Sequence, residues 1–236
     1  NFRATHIAQN VSGSQTAQRL QAAAESSLQK ALASYSKNLR IYVFIDISAS
    51  MEGALPSAKD LLTRLLVAFP LNQLHIAVFN SVGREVALRH ASAAGVHHAL
   101  SQFSAGGGTD YAAGIRALAR YHPQPGEDTL FIFVGDQQAP PFAQAVTLST
   151  LSPAAFAFVP VGIADLMEAV TKTAELLEIP CFTLSPAVLQ DPYSLPRTLR
   201  TLMASTPIKG RQAQSLIEQI LQHPLLQKPE WTRRLS

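Results

Sequence analysis

Two segments of this 236-residue chain, 39–45 (LRIYVFI) and 129–134 (TLFIFV), are apolar at almost every position, and each runs straight into a polar turn containing aspartate. A strand with one wet face alternates polar and apolar residues. A strand that is apolar throughout needs cover on both faces, which is the situation of a parallel strand flanked by helices. Short β-branched or aromatic runs at 74–79, 84–90, 154–161 and 181–184 bring the expected strands to six. Between them lie helical patterns at 56–69, 94–103, 111–121, 142–151 and 165–177, with another near 193–204. Only the four residues NSVG separate 74–79 from 84–90, too few for a crossover helix, so these two strands should form an antiparallel hairpin at a sheet edge. The rest alternates strand and helix. The expected fold is therefore α/β: a doubly wound, mostly parallel six-stranded sheet with one antiparallel edge strand and helices on both faces.

At 47% hydrophobic residues the chain can bury a full core. One domain is expected over 38–205. A leading helical segment (1–37) precedes it, with a helix read at 14–36 from its Ala, Gln and Leu content and lack of proline. Residues 206–236 read as a linker, a terminal helix at 212–222 and a tail whose Trp231 is expected to dock on the domain. Cys181 has no cysteine to pair with. No stretch approaches the roughly 20 apolar residues of a membrane helix, and no signal peptide is visible, so the expectation is a soluble, cytoplasmic chain. The sequence starts at Asn1 rather than methionine, as a fragment or processed product would. A net charge of +3 with scattered basic residues, gathered only at Lys228, Arg233 and Arg234, does not by itself predict nucleic-acid binding.

The chemistry concentrates at strand ends. Asp46, Ser48 and Ser50 follow the first strand at every second position, Thr109 closes the run SAGGGTD, and Asp136 ends TLFIFVGD. Taken singly, each is an ordinary N-cap or turn residue. Taken together, they are five hard oxygen donors at the carboxyl ends of strands, where ligands collect in open α/β sheets. Magnesium takes about six oxygens and usually keeps several waters. Three neutral hydroxyls and two carboxylates do not fill such a shell, so an open position remains. Gly106, Gly107 and Gly108 allow a tight turn before Thr109, and Thr109 or Asp110 stands where the next helix needs its N-cap.

This set, DISAS with Thr109 and Asp136, resembles the metal-ion-dependent adhesion site (MIDAS) of von Willebrand factor A (vWA) domains, and the resemblance spans roughly residues 38–205. It implies a Rossmann-like fold and a metal site of Asp46, Ser48, Ser50, Thr109 and Asp136. Mg²⁺ (or Mn²⁺ or Ca²⁺) would be held with Ser48 and Ser50 coordinating directly, Asp46 contacting the metal or its waters, and Thr109 and Asp136 exchanging direct and water-mediated roles. The sequence departs from the family pattern at Ala49, where glycine is frequent, and at Gln137, where glycine often follows the last aspartate. Neither change removes a ligand. Gln137 and Gln138 are read as affecting access to the metal or as facing solvent.

Within the family, SSLQKALASYSKN leading into the first strand, DISASM and GGGTDYAAGIRAL look like the C-terminal vWA half of Ro (TROVE-type) ribonucleoproteins. That implies association with RNA or a nuclease, although no helical repeat array is present here. Partners of MoxR- or chelatase-type AAA+ ATPases share the same five ligands. No haloacid dehalogenase second aspartate, GxSxG elbow, GxxxxGK[ST] loop or HExxH motif occurs. His75, His97 and His98 read as packing or surface residues and Cys181 as a structural thiol. The functional expectation is a noncatalytic, divalent-cation-dependent module that recognises an acidic group of a protein partner. The alternatives are the ATPase-partner role or a scaffold with a vestigial metal site.

Overall fold

In the computed structural model, which describes residues 38–187 except 68, 91 and 163–166, together with residue 198, six strands form one sheet. They are β1 (Leu39–Asp46), β2 (Leu74–Phe79), β3 (Gly83–Glu85), β4 (Asp128–Gly135), β5 (Ala155–Pro160) and β6 (Cys181–Thr183), in the order β3-β2-β1-β4-β5-β6. All pairings are parallel except β2 with β3. The five longer helices are α1 (Leu55–Leu66), α2 (Ala93–Ser101), α3 (Tyr111–Leu118), α4 (Ala143–Ser149) and α5 (Ala169–Leu176). This is the expected doubly wound sheet. The leading helix expected within 1–37, the helix expected near 193–204 apart from residue 198, the helix expected at 212–222 and the tail with Trp231 lie outside the described residues. No described helix is long and apolar enough to cross a membrane.

The two faces of the sheet bury different side chains. Ile41, Val43 and Ile45 of β1, Leu130, Ile132 and Val134 of β4, and Ala155, Ala157 and Val159 of β5 join α1 and α2 in an aliphatic core. The intervening residues, Tyr42 and Phe44, Phe131 and Phe133, Phe156 and Phe158, join α3, α4 and α5 in an aromatic core. Its rings meet edge-on or offset, as Phe44 with Phe131 at 5.0 Å and Phe133 with Phe156 at 5.0 Å. Helix α1 starts with Pro56 in its first turn, where the missing N–H is no loss, and turns Leu55, Ala58, Leu61, Leu62 and Leu65 inward at helical spacing.

The antiparallel strand is shorter than the expected 84–90. Val86 N–H still donates to Ile76 O (2.8 Å), but its side chain and that of Leu88 turn into the aliphatic core. Burying those two at the sheet edge takes the chain off the ladder toward α2, whose N-cap is Ser92.

Candidate metal centre

Strand order reverses at β1, with β2 on one side and β4 on the other, and such a switch point opens a crevice at the carboxyl ends of the strands. Asp46 is the last residue of β1 and Asp136 directly follows β4. The side chain of Asp46 continues the row Tyr42, Phe44 toward the aromatic face. There it passes over Gly135, where a Cβ would come within 2.7 Å of the Asp46 Cβ. Gly135 is thus required for the two strand ends to lie side by side.

Asp46 is 0% and Asp136 2% exposed. Each carboxylate bends its own loop through one oxygen. Ser48 N–H donates to Asp46 Oδ1 (2.7 Å), and Gln138 N–H donates to Asp136 Oδ1 (3.1 Å). The other oxygen of each, Oδ2, is buried without a hydrogen-bond partner. Burial, and secondarily the charge of Asp136, push the Asp46 carboxyl up to about 6 against the hydrogen bonds from Ser48. Buried carboxylate oxygens without donors are costly, and a bound cation satisfies them directly.

The hydroxyl donors are not spent on capping. Ser48 holds the N-cap position of the 3₁₀ turn Ala49–Met51 but makes no side-chain capping bond; its Oγ lies 3.0 Å from the exposed Ser50 Oγ. Before α3 the cap is Asp110, which accepts from Ala112 N–H (2.9 Å), so the half-buried Thr109 does not fill that role. Backbone bonds sew the glycine loop to the first: Gly106 N–H donates to Ile47 O (2.8 Å) and Ala49 N–H to Gly107 O (3.0 Å). Asn80 holds the same loop from β2, its Nδ2 donating to Gly106 O (2.7 Å) and its carbonyl accepting from Asp110 N–H (3.0 Å). Gly107 has φ +81°, a conformation glycine adopts without strain. Asp46 at the end of β1 with Ser48 and Ser50 after it, Asp136 after β4 and Thr109 in the loop from α2 to α3 are therefore gathered on three loops, of which the glycine loop is bonded to that of β1 at the carboxyl end of the sheet. Beside them lies a cavity of about 180 Å³ lined by Ile47, Asn80, Arg84, Phe103 and Gly106, among others. Among the described residues, Arg84 enters no ion pair.

The donor set fits a small divalent cation: two carboxylates with a free oxygen apiece and serine hydroxyls unused by their own helices. Among the described residues no cluster of three His, Cys, Asp or Glu side chains occurs, so a cation site here depends on the hydroxyls.

Gln137 plays a part the sequence reading did not give it. It neither faces solvent nor guards the site; it is 8% exposed, with φ 62° in the left-handed region. Its Oε1 accepts from Val170 N–H (3.1 Å), Thr171 N–H (3.2 Å) and Thr171 Oγ1 (3.1 Å) at the start of α5. The residue at the N-cap of α5, Glu168, makes no such bond. A polar residue where glycine is frequent was the signal for this role. Tyr111, beside the carboxylates at the start of α3, was also missed, because in sequence it looks like any apolar helix position.

The histidines lie elsewhere. His97 and His98 are exposed on α2. His75 stacks between Tyr42 (5.2 Å) and Tyr121 (4.3 Å), and burial and Arg40 lower its pKa. Burial pushes the Cys181 thiol up to about 11, so it stays protonated at neutral pH.

A five-parallel, one-antiparallel sheet with helices on both faces and loops converging at the β1 and β4 ends defines the doubly wound α/β fold of vWA domains. Solved structures with this arrangement include BatB, a conserved hypothetical protein from Bacteroides thetaiotaomicron (14% identity, TM-score 0.53, 70% of this chain and 99% of that one). An aerotolerance-related membrane protein from Bacteroides fragilis, carrying multiple mutations to serine, matches similarly (16%, TM-score 0.51, 70% and 98%). Proximal thread matrix protein 1 of the mussel byssus, with a zinc-occupied MIDAS motif, matches at 14% identity and TM-score 0.50 over 70% of this chain and 46% of its own. No protein-family pattern and no curated protein sequence matches the chain.

Proposed function

We propose that this chain is a noncatalytic binding module whose MIDAS-type site, Asp46, Ser48, Ser50, Thr109 and Asp136, holds a divalent cation, magnesium first among them, and uses it to take an acidic group from a protein partner. The observation that carries this reading is the pair of buried carboxylates, each with one oxygen shaping its loop and the other unpartnered. The cation would supply a positive centre with an open position for an anionic oxygen. The hydroxyl donors add no charge, so the site brings at most two negative charges to a divalent ion. Arg84, unpaired among the described residues and lining the adjacent cavity, favours an acidic partner further. The settings suggested by the sequence resemblance, a Ro-like RNA–protein complex or an AAA+ ATPase assembly, would engage this same face.

Calorimetric titration of Mg²⁺ and Mn²⁺ into the wild-type chain and Ser48→Ala tests the reading. Binding to wild type that falls at least tenfold in the variant, with the fold retained, is the expected result. Equal heats for the two proteins would put cation binding where Ser48 takes no part, and no heat for wild type would leave the domain a scaffold; either result overturns the reading.

A further inference from the structure

Tyr111 is 3% exposed, yet its hydroxyl makes no well-formed hydrogen bond, the Gln137 backbone standing near it without good geometry. Its ring cannot turn away to find one. It stacks on Phe142 at 4.7 Å with an interplanar angle of 1°, lies 4.7 Å from Phe79 and 5.7 Å from Phe133, and so is held by the ends of β2 and β4 and by the start of α4. Phe79 is the ladder partner of Asp46, and Phe133 stands three residues before Asp136. The Asp46 side chain points to this same face; burial first, then the negative charges of Asp46 and Asp136, push the phenol's pKa up, and the nearby Gln137 backbone opposes them. Among the described residues, the Tyr111 hydroxyl joins Asp46 Oδ2 and Asp136 Oδ2 as buried side-chain oxygens without a well-formed hydrogen bond, and the three belong to one neighbourhood.

A phenol is both donor and acceptor, whereas an ionised carboxylate only accepts. Three such groups in one buried neighbourhood suit a buried water, which needs two to four polar partners. We infer that Tyr111 is a positioning residue of the cation site: its hydroxyl donates to a buried water whose two hydrogens go to the free carboxylate oxygens, or donates to one of them directly once a cation draws them together, and so fixes both carboxylates behind the ion. The inference rests on the cation-binding reading above. Groups that orient metal ligands from behind are commonly worth 10–100-fold in metal affinity. A phenylalanine at this position would fill the aromatic core equally well, so packing alone does not explain the hydroxyl.

The test compares wild type, Tyr111→Phe and Ser48→Ala in the full chain. Mn²⁺ affinity is measured by calorimetry and by the EPR line shape of the bound ion, and thermal midpoints are recorded with EDTA and with saturating Mg²⁺. For Tyr111→Phe the expected results are an affinity loss of about tenfold, an altered EPR line shape, and a smaller Mg²⁺-induced rise in midpoint. Its midpoint in EDTA should equal or exceed that of wild type, because a buried hydroxyl without a well-formed hydrogen bond has been removed. Wild-type-like affinity and line shape in Tyr111→Phe, alongside lost binding in Ser48→Ala, would overturn the role of Tyr111 and leave the cation site standing. Absence of Mn²⁺ binding to wild type would overturn both. A changed midpoint in EDTA with an unchanged Mg²⁺-induced rise would assign the hydroxyl to packing and overturn the inference.

Discussion

Replacing Gln137 separates two opposing effects at one residue. Its side chain supplies the acceptor for the first backbone N–H groups of α5, one of them on the fully buried Val170, while its backbone sits at φ 62°. Loss of a helix cap costs about 0.5–2 kcal/mol, and a buried N–H left unpaired about 1–3 kcal/mol. The two figures describe overlapping bonds, so Gln137→Ala should destabilise the fold by about 2.5 kcal/mol. Left-handed backbone at a residue with a Cβ costs about 1 kcal/mol, which glycine avoids. Gln137→Gly should therefore lose only about 1.5 kcal/mol. At roughly 2–4 °C per kcal/mol for a domain of this size, the midpoints should fall by about 5–10 °C for alanine and about 3–6 °C for glycine. Urea denaturation of the three proteins in EDTA, with unchanged slopes, gives the same comparison as free energies. If Gln137→Gly were as stable as wild type, the cap would contribute nothing. If alanine and glycine were equal, the backbone would carry no strain. Either result refutes the reasoning.

Further outcomes follow from the site. In EDTA, the Asp46 carboxyl is raised from 3.8 to about 6, so the folded state holds its proton more tightly than the unfolded chain. Stability from this group then rises as pH falls from above 6 toward 4, by roughly 3 kcal/mol in total. Asp46→Asn should remove that slope and be the more stable protein at pH 7 in EDTA, as denaturation curves across pH will show; saturating Mg²⁺ should flatten the wild-type slope. Gly135→Ala forces a Cβ to within 2.7 Å of the Asp46 Cβ, so it should cost about 2 kcal/mol in urea denaturation and weaken Mg²⁺ binding by separating the strand ends.

The proposed donors stand out in the sequence; what stands behind them does not. Asp46, Ser48 and Ser50 were legible because a fully apolar strand ends in three oxygen-bearing side chains, and the antiparallel hairpin was legible because four residues admit no crossover. Gly135 reads as a loop glycine in one dimension; its need is set by a neighbouring strand 89 positions earlier in the chain, through the closeness of Asp46. Tyr111 and Gln137 escaped for the same reason. Their partners, the two carboxylates for one and the start of α5 for the other, come from segments that meet only after the sheet has formed. The overlong expectation at 84–90 arose because Val86 and Leu88 alternate as strand residues do, whereas tertiary burial decides their path.

The division of the sheet into an aliphatic and an aromatic face also bears on how the strands find their alignment. In a sheet wet on one side, a slip of one residue puts apolar groups in water and is rejected on that ground. Here both sides are dry, and polarity offers no such discrimination. Size does: in β1, β4 and β5 a slip of one position would push phenyl rings into spaces shaped for Val, Ile and Ala, and leave methyl groups facing gaps the width of a ring. The alternation of large and small thus encodes which residue stands opposite which, and thereby that Asp46 and Gly135 arrive at the same level at the end of their strands.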